Sequence, residues 1–405
     1  MSRERSSAEQ QIAELLHTAR TSLRLSVAFL SRLDGTTQHL EVVDTSVPFL
    51  FQEGYQQKQE ATLCQAILDK KIPQVIPDLT VFPEAMKLPA ARMPRLRSYV
   101  SVPVTLSDGS LYGTFCAAGL TTDRDLTKRD KALMDVLASA AAVIIEPEVR
   151  SQERRSEIED RLRPVMADGG PVVVLQPIVD LATGHRVGAE ALSRFPAEWG
   201  MAPDVVFEQA HGVGLGHRLE LLALERAAEH LDRVDGYVAM NVSPATLLTP
   251  ECGELLGRLP LPRVLLELSE HDQVEDYATL QAALEPFRAR GLRLAIDDVG
   301  AGFSSLRHIV VTAPDVIKID RSIITGLNTD PVLTKLVESL VEFGHGCRVR
   351  VVAEGVETVG EAAALRTLGV DYGQGWHHGR PGPPEALTPI PAYRVPAPRT
   401  AVAAP

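Results

Sequence analysis

The stretch GLRLAIDDVGAGFSSL, residues 291–306, sets a short apolar run directly before two aspartates. The run has the length and composition of a buried β-strand. Asp297 and Asp298 therefore come where such a strand would end. The region on either side repeats this arrangement, and the repetition predicts the fold.

From residue 171 onward, short apolar runs alternate with stretches of helical periodicity, such as 219–231, 280–290 and 333–343. Repeated strand–helix units over about 230 residues predict a parallel α/β architecture. A TIM-type (β/α)8 barrel is the first choice, and a doubly wound sheet is the alternative. The predicted strands are 172–175, 186–189, 237–240, 264–266, 292–296, 316–319 and 348–353.

Most of these runs end at a polar residue that can bind a metal ion or a phosphate group. In a barrel, the carboxyl ends of the strands converge on one face, so residues distant in sequence would meet there. Each residue alone has an ordinary alternative as a helix-cap neighbour, a turn residue or one half of a surface ion pair. The set consists of Glu190, Asn241, Glu267, Asp297, Asp298, Lys318 and Glu354.

Several carboxylates on one face would repel one another and raise each other's pKa, so bound cations are expected. Oxygen ligands favour Mg²⁺ or Mn²⁺ over zinc. Two such ions can support phosphodiester hydrolysis, and adjacent Asp297 and Asp298 could reach neighbouring ions. His377 and His378 are adjacent, which is a poor chelating arrangement, and we expect them to line a loop.

The pair Gly300 and Gly302 is too weak a pattern to indicate nucleotide binding by itself. Because glycine tolerates unusual backbone angles, the pair suits a mobile loop after two metal ligands. A simple turn is the alternative.

The first 146 residues predict a mixed α+β domain on an antiparallel sheet. Helices are expected at 8–24, 63–69 and 127–145, and strands at 26–33, 39–44, 74–76, 98–105 and 111–118. The charged stretch 146–162 is expected to be a helix, as a solvated linker, a signalling element or both. Pro147 is expected to kink or interrupt it. The predicted boundaries are 8–146 for the α+β domain, 147–162 for the linker, 163–395 for the barrel and 396–405 for a disordered tail.

The composition limits the possible functions. A formal net charge of −12 over 405 residues argues against a protein that coats duplex nucleic acid. The four cysteines are far apart in sequence and form no CxxC pair, so they predict buried apolar residues rather than a zinc site or disulfides. No signal-peptide core and no run long enough to cross a bilayer is present, which predicts a soluble, cytoplasmic protein.

An ordered set of motifs resembles the EAL-domain cyclic di-GMP phosphodiesterases. The motifs are LQPIVDL, GAEALSRF, NVSP, LELSE, IDDVGAGFSSL, IKIDRSII, VVAEGVET and GQGWHHGRP, over about residues 175–381. The resemblance implies a modified TIM barrel that hydrolyses cyclic di-GMP to linear pGpG with two Mg²⁺ or Mn²⁺ ions. It also implies a homodimer.

The resemblance implies a role for each matching position. Glu190, Asn241, Glu267 and Asp297 would hold the first ion, and Asp297 would bridge to a second ion held by Asp298 and Glu354. Lys318 would orient or help deprotonate the attacking water; Lys318, Glu354 and a metal-bound hydroxide all stay open as the effective base. Glu270 would be a catalytic position that pins the glycine loop. The other implied positions are Gln176, Leu192, Arg194 and Gln374 for substrate, Glu357 for support, and Gly300 and Gly302 in the loop.

The chain also departs from the family pattern. Val299, Ala301 and Phe303 replace the usual aromatic, Thr and Tyr of the glycine loop, which puts the loop stiffness and the rate in question. Ser193 stands where an apolar residue is common. The triplet 376–378, Trp-His-His, replaces the commoner aromatic and apolar pattern near the expected guanine position.

The N-terminal part resembles a GAF sensor domain. The motifs are TLCQAILDKKIPQVIPDL, SYVSVPVTLSDGSLYGTFCAAG and LTKRDKALMDVLASAAA. Such domains bind small molecules or only dimerise, so the ligand here is unknown. Nothing around Cys64 supports a covalent chromophore, and no cyclase-like segment is present. Two further readings stay open: a receptor that binds the dinucleotide without cutting it, and a protein whose output is the GAF-like domain.

Overall fold

The computed structural model describes residues 6–47, 51–92, 95–269, 276–300 and 311–387. The chain divides into two compact units, Met1–Arg154 and Arg155–Pro405. Each unit is built around its own sheet.

The first unit contains a six-stranded antiparallel sheet in the order β3-β2-β1-β6-β5-β4. Its strands are β1 Val27–Leu33, β2 Thr37–Thr45, β3 Gln56–Lys58, β4 Val75–Ile76, β5 Ser98–Thr105 and β6 Leu111–Gly119. Its helices are Ser7–Ser22, Leu63–Leu68, Pro83–Lys87, Pro89–Arg92 and the start of Lys128–Ala167. The predicted antiparallel α+β domain is confirmed.

The sheet of the first unit has a separate apolar core on each face. One core joins strand residues such as Leu30 and Phe115 to Leu16 of the first helix and Met134 of the long helix. The other core packs Phe29 and its neighbours against the short helices that follow β3. Successive side chains of a strand point to opposite faces, which is why Phe29 and Leu30 belong to different cores.

The helix Lys128–Ala167 runs through Pro147 without a break. The expectation that Pro147 interrupts this segment is therefore wrong, whereas a kink at Pro147 stays a prediction. A proline inside a helix removes one N–H donor and crowds one carbonyl, but packing on either side can hold the helix together. Residues before Pro147, including Met134, pack in the first unit, whereas Leu162 packs in the second.

The second unit contains a closed barrel in the order β10-β11-β12-β13-β14-β7-β8-β9. Its strands are β7 Val172–Asp180, β8 Arg186–Arg194, β9 Tyr237–Asn241, β10 Val264–Ser269, β11 Arg293–Val299, β12 Val316–Ile319, β13 Arg350–Ala353 and β14 Tyr372–Gln374. Strand β7 pairs antiparallel with β8 and β14, and the other described pairings are parallel. The predicted modified TIM barrel is thus confirmed.

Three details of the barrel differ from the expectation. The parallel arrangement does not extend to β7, which forms a hairpin with β8. The closing strand β14 was not predicted, because Tyr372–Gln374 is too short and too polar to stand out as an apolar run. Pairing within the hairpin also extends β8 to Arg194, so Glu190 lies inside a strand rather than after it.

Helices surround the barrel and cover the outer faces of its strands. The outer core contains Ile317 and Ile319 of β12 together with Val337 and Val341 of a covering helix. These helices are Pro203–Gly212, Gly216–Ala228, Pro244–Leu247, Pro250–Arg258, Tyr277–Arg288, Arg321–Ile324, Pro331–Gly346 and Val359–Thr367. Within the described residues, no helix has the length and apolar character needed to cross a lipid bilayer.

Candidate active site

The barrel interior contains an apolar layer with a polar layer beside it. Ala239, Leu265, Ala295, Val316 and Val352 belong to the apolar layer. The residue two positions further along each of these strands shares the inward direction, because side chains alternate with a period of two. Those residues are Asn241, Glu267, Asp297, Lys318 and Glu354.

The reversed strand β7 reaches the same polar layer from the opposite direction. Its Ile178 belongs to the apolar layer, and Gln176, two positions before it, pairs in register with Glu190 of β8. Seven strands, β7 to β13, thus supply polar side chains to one end of the barrel from inward-facing positions. Gln374 is the polar side chain that the eighth strand, β14, supplies.

Lys318 is the centre of this polar layer and is 0% exposed. Its Nζ lies 2.6 Å from Glu354 Oε1, 3.0 Å from Glu267 Oε2 and 3.1 Å from Asp297 Oδ1. Glu190 Oε2 is the fourth carboxylate oxygen, at 3.4 Å. We call these five residues together with Asp298 the Lys318 cluster.

Amide groups hold the carboxylate of Glu190 in place. Asn241 Nδ2 donates to Glu190 Oε1 at 3.0 Å, and Gln374 Nε2 donates to Glu190 Oε2 at 2.6 Å. Gln374 also donates to Gln176 Oε1 at 3.2 Å, and Gln176 donates to the carbonyl of Gly379 at 3.3 Å. The two glutamines predicted to contact substrate therefore also fix the orientation of a predicted metal ligand.

A local irregularity in β11 turns two consecutive aspartates toward the same region. In a regular strand, Asp297 and Asp298 would point to opposite faces. Here the pairing with β12 shifts register between Ile296 and Val299, and Asp298 has a φ of 58°. This left-handed conformation is uncommon for a residue with a side chain, although aspartate tolerates it better than most. It brings carboxylate oxygens of Asp297, Asp298 and Glu354 within 4.8 Å of one another.

Two overlapping groups of oxygen donors result. Glu190, Glu267 and Asp297 form one group, and Asp297, Asp298 and Glu354 form the other. Asp297 belongs to both, as a bridging ligand would. Among the residues that the structure describes, Glu267 Oε1 is buried without a hydrogen-bond partner, which is costly for a carboxylate unless an ion binds it. The Lys318 cluster holds five carboxylates and, within the described part of the chain, one ammonium group, so the residues fit two divalent cations that prefer oxygen ligands.

The charge imbalance shifts the acidity of the cluster. Burial raises the pKa of Glu267 well above its ordinary value, and burial raises the pKa of Glu354 to about 8. Burial opposes the charge of Lys318, but the surrounding carboxylates outweigh this effect and raise its pKa well above the usual range. Burial also acts against the charged form of Glu190, yet Lys318 and the amides lower its pKa below the ordinary value. A bound cation would favour the charged carboxylates throughout.

A cleft of about 480 Å³ adjoins the Lys318 cluster; it is lined by Glu267 of the cluster and by Asn241, which bonds to Glu190. Its wall includes Leu192 and Arg194, two residues predicted to contact substrate, as well as Phe207. The cleft is large enough to hold one nucleobase with its sugar. An aromatic ring and an arginine suit a base and a phosphate group, respectively.

Sequence reasoning missed a second polar group in this cleft, made of His211, Glu220 and Ser243. Glu220 Oε1 bonds His211 Nε2, and Glu220 Oε2 accepts from the Ser243 backbone at 2.9 Å and hydroxyl at 2.8 Å. Ser243 belongs to the NVSP motif, which is the one sequence feature that could have indicated this polar group. His211 and Glu220 lie on helices whose apolar pattern gives no hint that they meet.

The remaining predicted positions are distributed around the cluster. Glu357 forms an ion pair with Arg321 at 3.0 Å. Gly300 has a φ of 105°, and a Cβ there would approach Ile323 Cδ1 to 2.1 Å. The guanidinium of Arg380 stacks over the exposed Trp376 at 4.4 Å. Glu270, Gly302, Ala301 and Phe303 lie outside the described residues.

Comparison with known proteins agrees with this geometry. Residues 159–381 match the family model described as EAL domain, and residues 6–146 match one described as GAF domain. The solved structure titled "PaMucR Phosphodiesterase, c-di-GMP complex" is 29% identical, with a TM-score of 0.51 over 57% of this chain and 100% of that one.

Two curated relatives illustrate the range of similarity. "Probable cyclic di-GMP phosphodiesterase PdeB" of Escherichia coli strain K12 is 30% identical over 263 residues, which are 62% of this chain and 49% of that protein. An uncharacterized protein of Mycobacterium tuberculosis is 30% identical over 263 residues, which are 59% of this chain and 86% of that protein. For several other relatives the chain spans only 36% to 48% of their length.

The match to the EAL domain model covers more than half of the 405 residues, and the ordered motifs, the barrel with one reversed strand and the carboxylate arrangement agree with it. The chain therefore belongs to the EAL domain family, and its residues 6–146 are similar to GAF domains.

Proposed function

We propose that this chain hydrolyses cyclic di-GMP to linear pGpG with two Mg²⁺ or Mn²⁺ ions. The observation that supports this proposal most directly is the pair of oxygen-donor groups that share Asp297. The relatives support the substrate, since one is named as a probable cyclic di-GMP phosphodiesterase and another was solved as a c-di-GMP complex.

In this proposal Glu190, Asn241, Glu267 and Asp297 hold one ion, and Asp297, Asp298 and Glu354 hold the other. When bound, such ions activate a water, neutralise the phosphate oxygens and stabilise the leaving alkoxide. The protein supplies the positioning. Gln374 and Asn241 keep both Glu190 oxygens fixed, so this ligand is orientated before any ion arrives.

Lys318 supplies a fixed positive charge next to the reacting centre. Its raised pKa keeps it protonated at neutral pH in the metal-free protein, so there it donates hydrogen bonds rather than accepting a proton. Its contact with Glu354 at 2.6 Å places a hydrogen-bond donor beside a carboxyl group of the proposed metal site. We propose that Lys318 orients the attacking water and that Glu354 takes part in moving its proton.

The cleft beside the cluster is proposed to hold one half of the dinucleotide. Arg194 would bind a phosphate, and Leu192 with Phe207 would form the apolar wall against which a guanine packs. Gln176 and Gln374 would reach substrate from the other side of Glu190.

The decisive experiment incubates the purified full chain with cyclic di-GMP and Mn²⁺ and separates the products by chromatography. We expect pGpG to accumulate with the full chain, and we expect a chelator or Glu267→Gln to stop the reaction. Glu285→Gln, an exposed change on the helix Tyr277–Arg288, is the matched control. Cyclic di-GMP that binds, measured by calorimetry, but stays intact for hours would indicate a receptor instead.

We further propose that the GAF-like domain binds a small molecule and regulates the barrel through the helix Lys128–Ala167, in a cytoplasmic homodimer. The charged part of this helix makes contacts within each unit: Arg150 pairs with Asp108 in the first unit at 2.7 Å, and Arg155 donates to the Val213 carbonyl in the second unit at 3.0 Å. A ligand that changes the hydrolysis rate of the full chain would support regulation. An output that survives Asp298→Asn would instead favour the GAF-like domain as the functional part.

A further inference from the structure

The core of the first unit contains a polar group that the proposed hydrolysis does not use. Cys64 lies on the helix Leu63–Leu68 and Cys116 lies on β6, 52 positions later. Their Sγ atoms are 3.4 Å apart, and the residues are 1% and 0% exposed. The sequence spacing gave no reason to pair them, so the fold alone creates this contact.

Neutral polar side chains surround the two sulfurs. Gln38 Nε2 donates to Cys64 Sγ at 3.0 Å, and the Tyr99 hydroxyl lies 3.1 Å from the same atom. The Ser101 hydroxyl lies 3.2 Å from Cys116 Sγ. We call the group the thiol cluster; its members are Ser31, Gln38, Cys64, Tyr99, Ser101, Thr114 and Cys116.

The environments of the two sulfurs differ in a way that matters for reactivity. Cys64 Sγ has three neighbours that can donate a hydrogen bond to it: Gln38, Tyr99 and Cys116. Hydrogen bonding, led by that from Cys116, outweighs burial and lowers the pKa of Cys64 to about 6, whereas burial raises the pKa of Cys116 well above its ordinary value. A thiolate next to a thiol is the arrangement that an attacking and a resolving cysteine need.

The other two cysteines lack this arrangement. Cys252 is buried in the apolar core around the barrel, where burial raises its pKa to about 11. Cys347 is exposed. They therefore serve as internal controls for any chemistry assigned to the pair.

We propose that Cys64 and Cys116 form a reversible disulfide when the protein meets a small hydroperoxide such as hydrogen peroxide. The Cys64 thiolate attacks the O–O bond, which breaks to give a Cys64 sulfenic acid and hydroxide. The Cys116 sulfur then attacks the Cys64 sulfur, the S–S bond forms, and the sulfenic oxygen leaves as water after taking up a proton. Per pair, two thiols and one peroxide give one disulfide and two waters.

The distance between the two sulfurs and their burial determine what this reaction requires. The sulfurs must approach from 3.4 Å to about 2.05 Å, a movement of the order of a side-chain adjustment. Because both sulfurs are buried, only a water-sized oxidant suits the site, and bulky thiol reagents should react slowly with the folded chain. The resulting bond would tie the helix Leu63–Leu68 to β6, a strand flanked by β1 and β5.

The test uses the full chain with Cys347→Ser, which removes the exposed thiol and with it disulfides between molecules. After peroxide treatment, remaining thiols are alkylated in denaturant, and the protein is analysed by intact mass and peptide mapping. We expect the loss of two hydrogens, a peptide linking residues 64 and 116, and full reversal by a dithiol reductant. Cys252→Ser should leave this result unchanged.

Variants at the two cysteines distinguish the oxidation of Cys64 from the formation of the disulfide. In Cys116→Ser we expect no disulfide and a sulfenic acid at Cys64 that a dimedone-type probe traps, whereas Cys64→Ser should give neither product. Peptide mapping of the chain that keeps both Cys64 and Cys116 tests the disulfide directly, so the conclusion does not depend on whether these variants fold. Two fully alkylated cysteines after peroxide, or a Cys64 sulfinic acid without a linked peptide, would overturn the proposal.

Discussion

The Lys318 cluster and the thiol cluster are both buried groups of polar side chains, but they differ in how their polar atoms are satisfied. The thiol cluster contains no carboxylate or ammonium group, and hydrogen bonds from its own members reach both sulfurs. The Lys318 cluster combines five carboxylates with one ammonium group, and Glu267 Oε1 has no hydrogen-bond partner among the described residues. A buried group whose polar atoms are hydrogen-bonded to one another needs no ligand. A buried group with excess negative charge requires bound cations.

The sharpest test of this difference is catalytic. Asp298→Asn keeps the side-chain size and the tolerance for a left-handed backbone but removes a carboxylate from the second oxygen group. We expect the rate of pGpG formation to fall by about 100-fold to 1,000-fold or more, as when a transition-state contact is lost. The control is Asp232→Asn at an exposed position. A variant with near-normal activity would remove Asp298 from the proposed metal site.

A second test removes the single positive charge of the Lys318 cluster. Lys318→Met leaves four carboxylates at the site without their cationic partner, so the metal-free protein should lose about 3–5 kcal/mol of unfolding free energy. Chemical denaturation with and without Mn²⁺ measures this loss. The ion should stabilise the variant more than the parent, and equal stabilisation of both would show that Lys318 and the ions do not neutralise the same charges.

The cluster should also make the metal-free protein sensitive to pH. Glu354 has a pKa of about 8 when folded and an ordinary value of 4.5, so the folded state binds more protons than the unfolded state between these values. Stability should therefore fall as pH rises through this window, by up to about 1.4 kcal/mol per pH unit for one group. The raised pKa of Glu267 acts in the same direction.

The contribution of Lys318 is constant over this range, because its stabilising effect is lost only as pH rises beyond its ordinary value of 10.5 toward its raised folded value. Denaturation series at several pH values should show a shallower slope in Glu354→Gln. Saturating Mg²⁺ should reduce the slope in the parent, since an ion favours the deprotonated carboxylates. A slope of the opposite sign would contradict the assignment.

The smallest expected effect belongs to the thiol cluster. Tyr99→Phe removes the hydroxyl 3.1 Å from Cys64 Sγ, and we expect a loss of about 1 kcal/mol of unfolding free energy, typical of one hydrogen bond. Tyr112→Phe, on β6 but outside the cluster, is the control. Metal ions should not restore the lost stability. A loss of unfolding free energy as large as that expected for Lys318→Met would contradict the proposed difference between the thiol cluster and the Lys318 cluster.

Sequence patterns predicted much of the barrel and its site because charged residues interrupt apolar runs. The inward period of two on β9 to β13 explains why Asn241, Glu267 and Lys318 meet, and an alternation of this kind is visible in sequence. The direction of β7 and the three-residue strand β14 were not predictable in this way. Strand direction depends on pairing partners, and periodicity does not report them.

The remaining gaps concern contacts between segments that are distant in sequence. Cys64 and Cys116 each lie on an apolar element, where a cysteine resembles any small buried residue. His211 and Glu220 sit on successive helices and meet only because those helices pack together. Cys64 and Cys116 fall in two separate motifs of the N-terminal part, and His211 and Glu220 fall in none, so no single motif relates the two members of either pair.

The position of Lys318 has a consequence for the order of events during biosynthesis. An internal ammonium group lets the strands that carry Glu190, Glu267 and Asp297 close around it before any ion is present. The newly made chain can thus complete its barrel first and acquire metal afterwards. The identity of the ion is then decided by the ions available to the finished protein, and exchange of one ion for another does not require the barrel to be rebuilt.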